Sequence, residues 1–155
     1  MNKRTFVLLA ALAVSFAAAQ ASLYAKGATL TPAGDLKIPK AEIGAFARFY
    51  PYKASGGILI EVLALRAPDG TVRTAFNTCQ VCYDSGRGYY TQQGDVLVCN
   101  NCGNRFKASQ VELIKGGCNP VPITREFKTE DAESIVISKK ILELAKPLFL
   151  NWKKR

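Results

Sequence analysis

Histidine is absent from all 155 residues, and methionine occurs once, at position 1. Without histidine the chain cannot build a Ser-His-Asp or Cys-His nucleophile pair, HExxH zinc chemistry, a Rieske centre or histidine-ligated haem. Without internal methionine, thioether-rich copper binding is excluded. No CxxCH occurs, so covalent haem attachment has no support. No glycine-rich phosphate loop follows a strand. Carboxylates are few, 12 against 21 basic residues, and most fall in expected helices or turns, so hydrolytic chemistry has little to work with. No small-molecule substrate is evident, and the sequence points away from an enzyme while leaving a thiol–disulfide activity open. The reactive groups that remain are thiols.

Long apolar runs are also scarce. The main one is N-terminal: Lys3 and Arg4 precede Thr5 to Phe16, and Ala17-Ala18-Ala19 or Ala19-Gln20-Ala21 offers a small-residue cleavage site. Residues 1–21 have the order of a secretory signal peptide, and the run is too short to span a bilayer comfortably. The expectation is an exported protein, periplasmic or otherwise extracytoplasmic. Left uncleaved, the segment would anchor it. No cysteine lies near the cleavage site, so a lipid anchor on cysteine is excluded. The formal charge is +9, and removing Lys3 and Arg4 leaves 19 basic residues against 12 acidic ones, or +7. Export argues against nucleic acid as a partner, and the scattered basic residues read as a solvated surface. Residues 22–34 read as a flexible lead-in, and residues 35–155 as one cysteine-rich metal-binding domain.

All five cysteines lie between Cys79 and Cys118. Cys79-x-x-Cys82 and Cys99-x-x-Cys102 are separated by sixteen residues, and Gly116-Gly117-Cys118-Asn119-Pro120 supplies the fifth. Two residues between cysteines let the chain turn back, so that both sulfurs and the nearby N–H groups face one centre. Two such knuckles can hold zinc, a single iron or an iron–sulfur cluster. Gly103 permits the positive φ that a knuckle needs after its second cysteine. A hairpin over Gly88–Gln92 and Asp95–Val98, turning at Gln93-Gly94, would carry Cys99 back to Cys79 and Cys82. In an oxidising compartment cysteines usually pair as disulfides, yet five is an odd number. Three readings stand: an iron centre held by the two knuckles, a structural zinc site of the two knuckles serving an interaction module, and a thiol–disulfide redox protein. Cys118 is left open, as a replacement for a knuckle ligand, a ligand to a second metal, a partner in a mixed disulfide, or a small buried residue after a helix stop.

The fold expectation is a small α+β domain, mainly β, with zinc-ribbon or rubredoxin-like CxxC knuckles and short flanking helices. Strands are expected at Leu36–Ile38, Arg48–Lys53, Ile58–Leu65, Val72–Phe76 and Ser134–Ile137. Pro68-Asp69-Gly70 is a turn. Lys40–Ala45 should form a helical turn and Lys139–Lys146 a helix stopped at Pro147. Ser109-Gln110-Val111-Glu112 has the form of a capping box, which predicts a short helix ending at Gly116-Gly117. Residues 34–50 and 132–149 share a shape, strand then helical turn then aromatic, which suggests two related elements flanking the cysteine region.

The segments FNTCQVCYDSGRGYY, GDVLVCNNCGNRF and GGCNPVPI, in that order, resemble the FtrD-like membrane iron–sulfur domain family, and the likeness runs with gaps from Asp35 to Phe149. The resemblance implies an iron–sulfur centre or a single iron held by Cys79, Cys82, Cys99, Cys102 and Cys118. It also implies electron transfer or metal handling beside a membrane iron-uptake permease or redox partner. This chain resembles the exported domain without the family's multi-spanning helices.

Overall fold

The computed structural model describes residues 34–154. The expected signal peptide, and the lead-in up to residue 33, lie outside them. Ten strands form three antiparallel sheets. The central sheet takes β2 (Arg48–Lys53), β3 (Leu59–Arg66), β4 (Val72–Cys79) and β8 (Pro120–Pro122) in the order β2-β3-β4-β8. A second sheet orders β1 (Leu36–Pro39), β10 (Ser134–Ile137) and β9 (Lys128–Glu130) as β1-β10-β9. The third is a meander of β5 (Tyr90–Gln93), β6 (Val96–Cys99) and β7 (Arg105–Lys107). Helix α1 (Lys139–Leu144) and a 3-10 turn at Lys146–Phe149 close the chain.

Strand β3 explains the layering. Its interior residues are all buried, and successive side chains of a strand point to opposite faces. Ile60, Val62 and Ala64 join one hydrophobic core with Leu36, Ile38, Tyr50, Ile135, Leu142 and Phe149. Leu63 and Leu65 join another with Tyr90, Leu97, Phe106 and the cysteines 79, 82 and 99. The apolar run of the sequence is therefore a strand with a core on each face. The β1-β10-β9 sheet and α1 cover one side, and the β5-β6-β7 meander covers the other.

Prolines sit where strand chemistry permits them. Pro51 is in β2, and Pro120 and Pro122 are in β8. Both are edge strands, where a missing N–H costs no ladder bond. Pairing of β4 with β8 shifts register between Phe76 and Cys79, an irregularity that re-aims the chain as it enters the first knuckle. The turn at Pro68-Asp69-Gly70 forms as expected, with Gly70 at φ 80 and its N–H donating to the Ala67 carbonyl at 2.9 Å.

Two expectations fail. No helix starts at Ser109. A 3-10 turn covers Ala108–Gln110, and the chain then runs irregularly to Cys118. Glu112 adopts φ 70. Its carboxylate is drawn away from the capping position to accept the Thr74 N–H at 3.0 Å and to pair with Lys128. A largely buried tertiary ion pair has overridden a local capping preference. The likeness of residues 34–50 to 132–149 also stops at the strands. β1 and β10 pair antiparallel with each other, Leu36 opposite Ile137 and Ile38 opposite Ile135. Strand β1 leads into a three-residue 3-10 turn, whereas β10 leads into the helix α1. Tyr50 lies in a strand, whereas Phe149 ends a 3-10 turn.

Candidate metal centre

The second core places the five thiols. Cys79 ends β4 and Cys99 ends β6, so two strands from different sheets deliver the first cysteine of each knuckle. The β5–β6 hairpin forms with Tyr90 opposite Cys99 and Gln93 opposite Val96. Gly94, at φ 60, supplies the turn, one residue later than the turn expected at Gln93-Gly94. Gly88 is pressed against the first knuckle, since a Cβ there would lie 2.9 Å from the Cys82 carbonyl oxygen. Gly103 takes φ 74 after Cys102, as its place in a knuckle requires.

Backbone N–H groups face the sulfurs. The Cys82 N–H donates to Cys79 Sγ at 3.4 Å, and the nearby Val81 N–H favours the thiolate form of the same residue. The N–H groups of Asn101 and Cys102 favour the thiolate form of Cys99, and that of Asn104 favours the thiolate form of Cys102. These bonds favour thiolates. Burial opposes them, and its balance differs at each site. It pushes the Cys99 thiol up to about 12 and raises Cys82. At Cys79 burial is outweighed by the Val81 N–H, the Tyr90 hydroxyl and the Cys82 groups, so the thiol falls below its ordinary value. Cys102, exposed, falls chiefly through the Asn104 N–H. Cys118 is pushed up to about 12, first by the neighbouring Cys102 and then by burial. Thiols packed this closely resist joint ionisation unless a cation replaces their protons.

Cys118 belongs to the same cluster. Consecutive left-handed glycines, Gly116 at φ 89 and Gly117 at φ 65, turn the chain into it. Its carbonyl accepts hydrogen bonds from the Tyr90 hydroxyl and from Asn104 Nδ2, each at 2.9 Å. Gln80 sits inside the first knuckle. It accepts the Gly116 N–H on Oε1 at 3.0 Å and donates its own N–H to the Asn119 carbonyl at 3.1 Å. Both knuckles and the hairpin therefore hold the fifth cysteine's loop. Gln80, Tyr90 and Asn104 escape a sequence reading centred on cysteine. Their signal is an amide or phenol placed within or beside a knuckle or opposite its cysteine, as Tyr90 is opposite Cys99.

All five cysteines are free thiols. The sulfurs of Cys79, Cys82 and Cys118 lie within 4.8 Å of one another, and so do those of Cys82, Cys99 and Cys102. A tetrahedral thiolate site with metal–sulfur bonds of about 2.3 Å separates its sulfurs by about 3.8 Å, so either set can close on an ion with small side-chain rotations. The set is all sulfur, which suits zinc or iron and not magnesium or calcium. Cys79, Cys82 and Cys99 are buried, Cys118 is partly buried and Cys102 faces solvent. The clefts lined by Lys40, Arg73 and Glu112, and by Phe46, Leu65 and Pro68, contain none of these cysteines. Among the described residues, no helix is long and apolar enough to cross a membrane.

Fold and donors together define a mainly β protein with a cysteine cluster compatible with metal binding. A family model described as membrane iron-sulfur containing protein FtrD-like matches residues 44–149, more than half of the chain. The protein belongs to this FtrD-like family. No curated protein and no solved structure matches the chain.

Proposed function

We propose that the protein is an exported carrier of an iron centre, an iron–sulfur cluster or a single iron held by thiolates, acting in electron transfer or metal handling linked to iron uptake. The observation that carries this reading is the convergence of all five cysteines on one cluster. The family description, which names both iron–sulfur and the membrane, supports it. Thiolate-held iron supplies a one-electron couple, and N–H donors to the sulfurs tune its potential. Here Val81, Cys82, Asn101, Cys102 and Asn104 provide those donors, in the manner of zinc-ribbon and rubredoxin-like knuckles. The N-terminal segment would place the domain, residues 35–155, outside the cytoplasm beside a membrane permease or redox partner.

A structural zinc reading draws on one further observation. Cys79, Cys82 and Cys99 are part of the core that joins the meander to the central sheet, so any ion there would also hold the fold. Purification without oxygen, followed by a visible spectrum and metal and sulfide analysis, separates the readings. Iron with sulfide and broad charge-transfer absorption supports a cluster, and iron without sulfide supports a single thiolate-held iron. A colourless protein with stoichiometric zinc refutes the redox role, and a metal-free protein with a reversibly reducible CxxC pair makes it a thiol–disulfide protein.

A further inference from the structure

The arrangement of the five sulfurs is unlike that of one tetrahedral ion. Such an ion takes four sulfurs, each close to the other three. Here the thiols divide into two sets of three that share one member. Cys79, Cys82 and Cys118 form the first, and Cys82, Cys99 and Cys102 form the second. Cys82 is the common member, and it sits where the first knuckle, the second knuckle and the Gly-Gly-Cys loop meet.

We infer that the cluster is a two-metal thiolate site, with the Cys82 sulfur bridging one ion held by Cys79 and Cys118 and another held by Cys99 and Cys102. This rests on the reading of the thiols as metal ligands and adds the number of ions and the role of each sulfur. A thiolate sulfur has lone pairs enough for two metal–sulfur bonds, whereas a terminal ligand uses one. On loading, each of five S–H bonds is replaced by a bond to metal, six in all with the bridge, and five protons leave to solvent. Each divalent ion then has three protein sulfurs and a fourth position for solvent or an inorganic ligand.

Three features support the assignment. Cys118 is not a bystander, since its loop is fixed by Tyr90, Asn104 and Gln80. Cys82 is buried at 9 % exposure, as a sulfur enclosed by two ions would be. The two sets also differ in access, since the first has Cys79 buried and Cys118 partly buried, whereas the second ends in the exposed Cys102. The ion on the Cys99–Cys102 side is therefore the one that exchanges with solution.

The test is an anaerobic titration of the reduced full chain with cobalt(II) chloride, following thiolate-to-cobalt charge-transfer absorption. The parent should saturate at two equivalents, and Cys118→Ser and Cys102→Ser at one each. Both residues are at least partly exposed, so two independent variants guard against a folding defect in either. With cadmium-113 in place of cobalt, the bridge should appear as mutual splitting of two resonances. Saturation of the parent at one equivalent, two equivalents retained in Cys118→Ser, or two unsplit cadmium signals overturns the inference and leaves the metal reading intact. No charge-transfer band at any ratio would refute the metal reading itself.

Discussion

The hydroxyl of Tyr90 donates a hydrogen bond to the carbonyl oxygen of Cys118 at 2.9 Å, across 28 residues of chain. The phenol is buried at 1 % exposure, with the Cys79 thiol among its neighbours. A phenol has one proton to give, and here it goes to the carbonyl. Burial, followed by the neighbouring thiols, holds its own ionisation far above the ordinary value. It stays a donor at any pH the protein meets.

Tyr90→Phe keeps the ring in the core and deletes the donor. We expect a loss of about 1 kcal/mol in urea unfolding and weaker metal binding with the Cys118 loop loosened. Metal affinity unchanged from the parent would mean that Asn104 and Gln80 hold the loop without it.

Glu112 and Lys128 form an ion pair with side chains 13 % and 7 % exposed. Glu112→Gln should destabilise the protein by about 3 kcal/mol, because it strands a buried ammonium. Lys128 also donates to Thr74 Oγ1 at 3.0 Å, which is too little to balance its charge. Adding Lys128→Met to Glu112→Gln should recover part of the loss, and chemical denaturation of each single variant and of the double variant reads the coupling. Additive losses would show that the two side chains act independently.

Much of the fold was legible because strands advertise themselves. Arg48–Lys53 and Ser134–Ile137 have the observed bounds, and the cysteine spacing pointed to thiols that the fold does bring together. The parts that stayed hidden depend on contacts between distant residues. Pro120-Val121-Pro122 looks like a stiff exit, and it becomes a strand only because β4 leaves an edge for it. Ser109 to Glu112 satisfies a local capping rule that Lys128, sixteen residues on, overrules. The sharing of Cys82 between two sets of thiols is likewise a property of three loops meeting, and no spacing encodes it.

Gly86 and Gly57 offer a controlled comparison. Both have left-handed backbones, φ 73 and 77. A Cβ on Gly57 meets nothing within 4 Å, whereas one on Gly86 would lie 1.9 Å from the Asn151 carbonyl oxygen. Gly57→Ala should show the conformational cost alone, about 1 kcal/mol. Gly86→Ala should cost more and push the C-terminal segment off the first knuckle. That breaks the Lys153 N–H bond to the Gly86 carbonyl and the Trp152 indole bond to the Asn77 carbonyl. Trp152 is the only tryptophan, so a red shift of its emission in Gly86→Ala and not in Gly57→Ala is the signature. Matching spectra in both variants would argue against this docking of the segment.

Acid should weaken the fold partly through Glu143. The Ser55 hydroxyl and N–H, and then Lys146, hold its carboxyl at about 2, below the ordinary 4.5. A depressed folded value means that the stabilisation is complete above about pH 4.5 and is lost as pH falls towards 2. Parent and Glu143→Gln should therefore differ in melting temperature at pH 6 and converge by pH 2. A gap that stays constant over that range would show that the Ser55 contact does not depend on charge.

Metal removal should act on one side of the central sheet. The core between β3–β4 and the meander contains Cys79, Cys82 and Cys99. The opposite core, beneath β1, β10 and α1, contains no cysteine. Structural thiolate metals contribute on the order of 10 kcal/mol where binding and folding are coupled, and the meander has only three short strands to stand on without one. Hydrogen exchange before and after chelation should show amides of Tyr90–Lys107 losing protection by orders of magnitude, while Leu36–Pro39 and Ser134–Ile137 change little. Cys99→Ser should reproduce that pattern without a chelator. Uniform loss across both cores would mean that β3, packed on both faces, transmits the collapse of one side to the other. Unchanged exchange in both would remove any structural role for metal at Cys99.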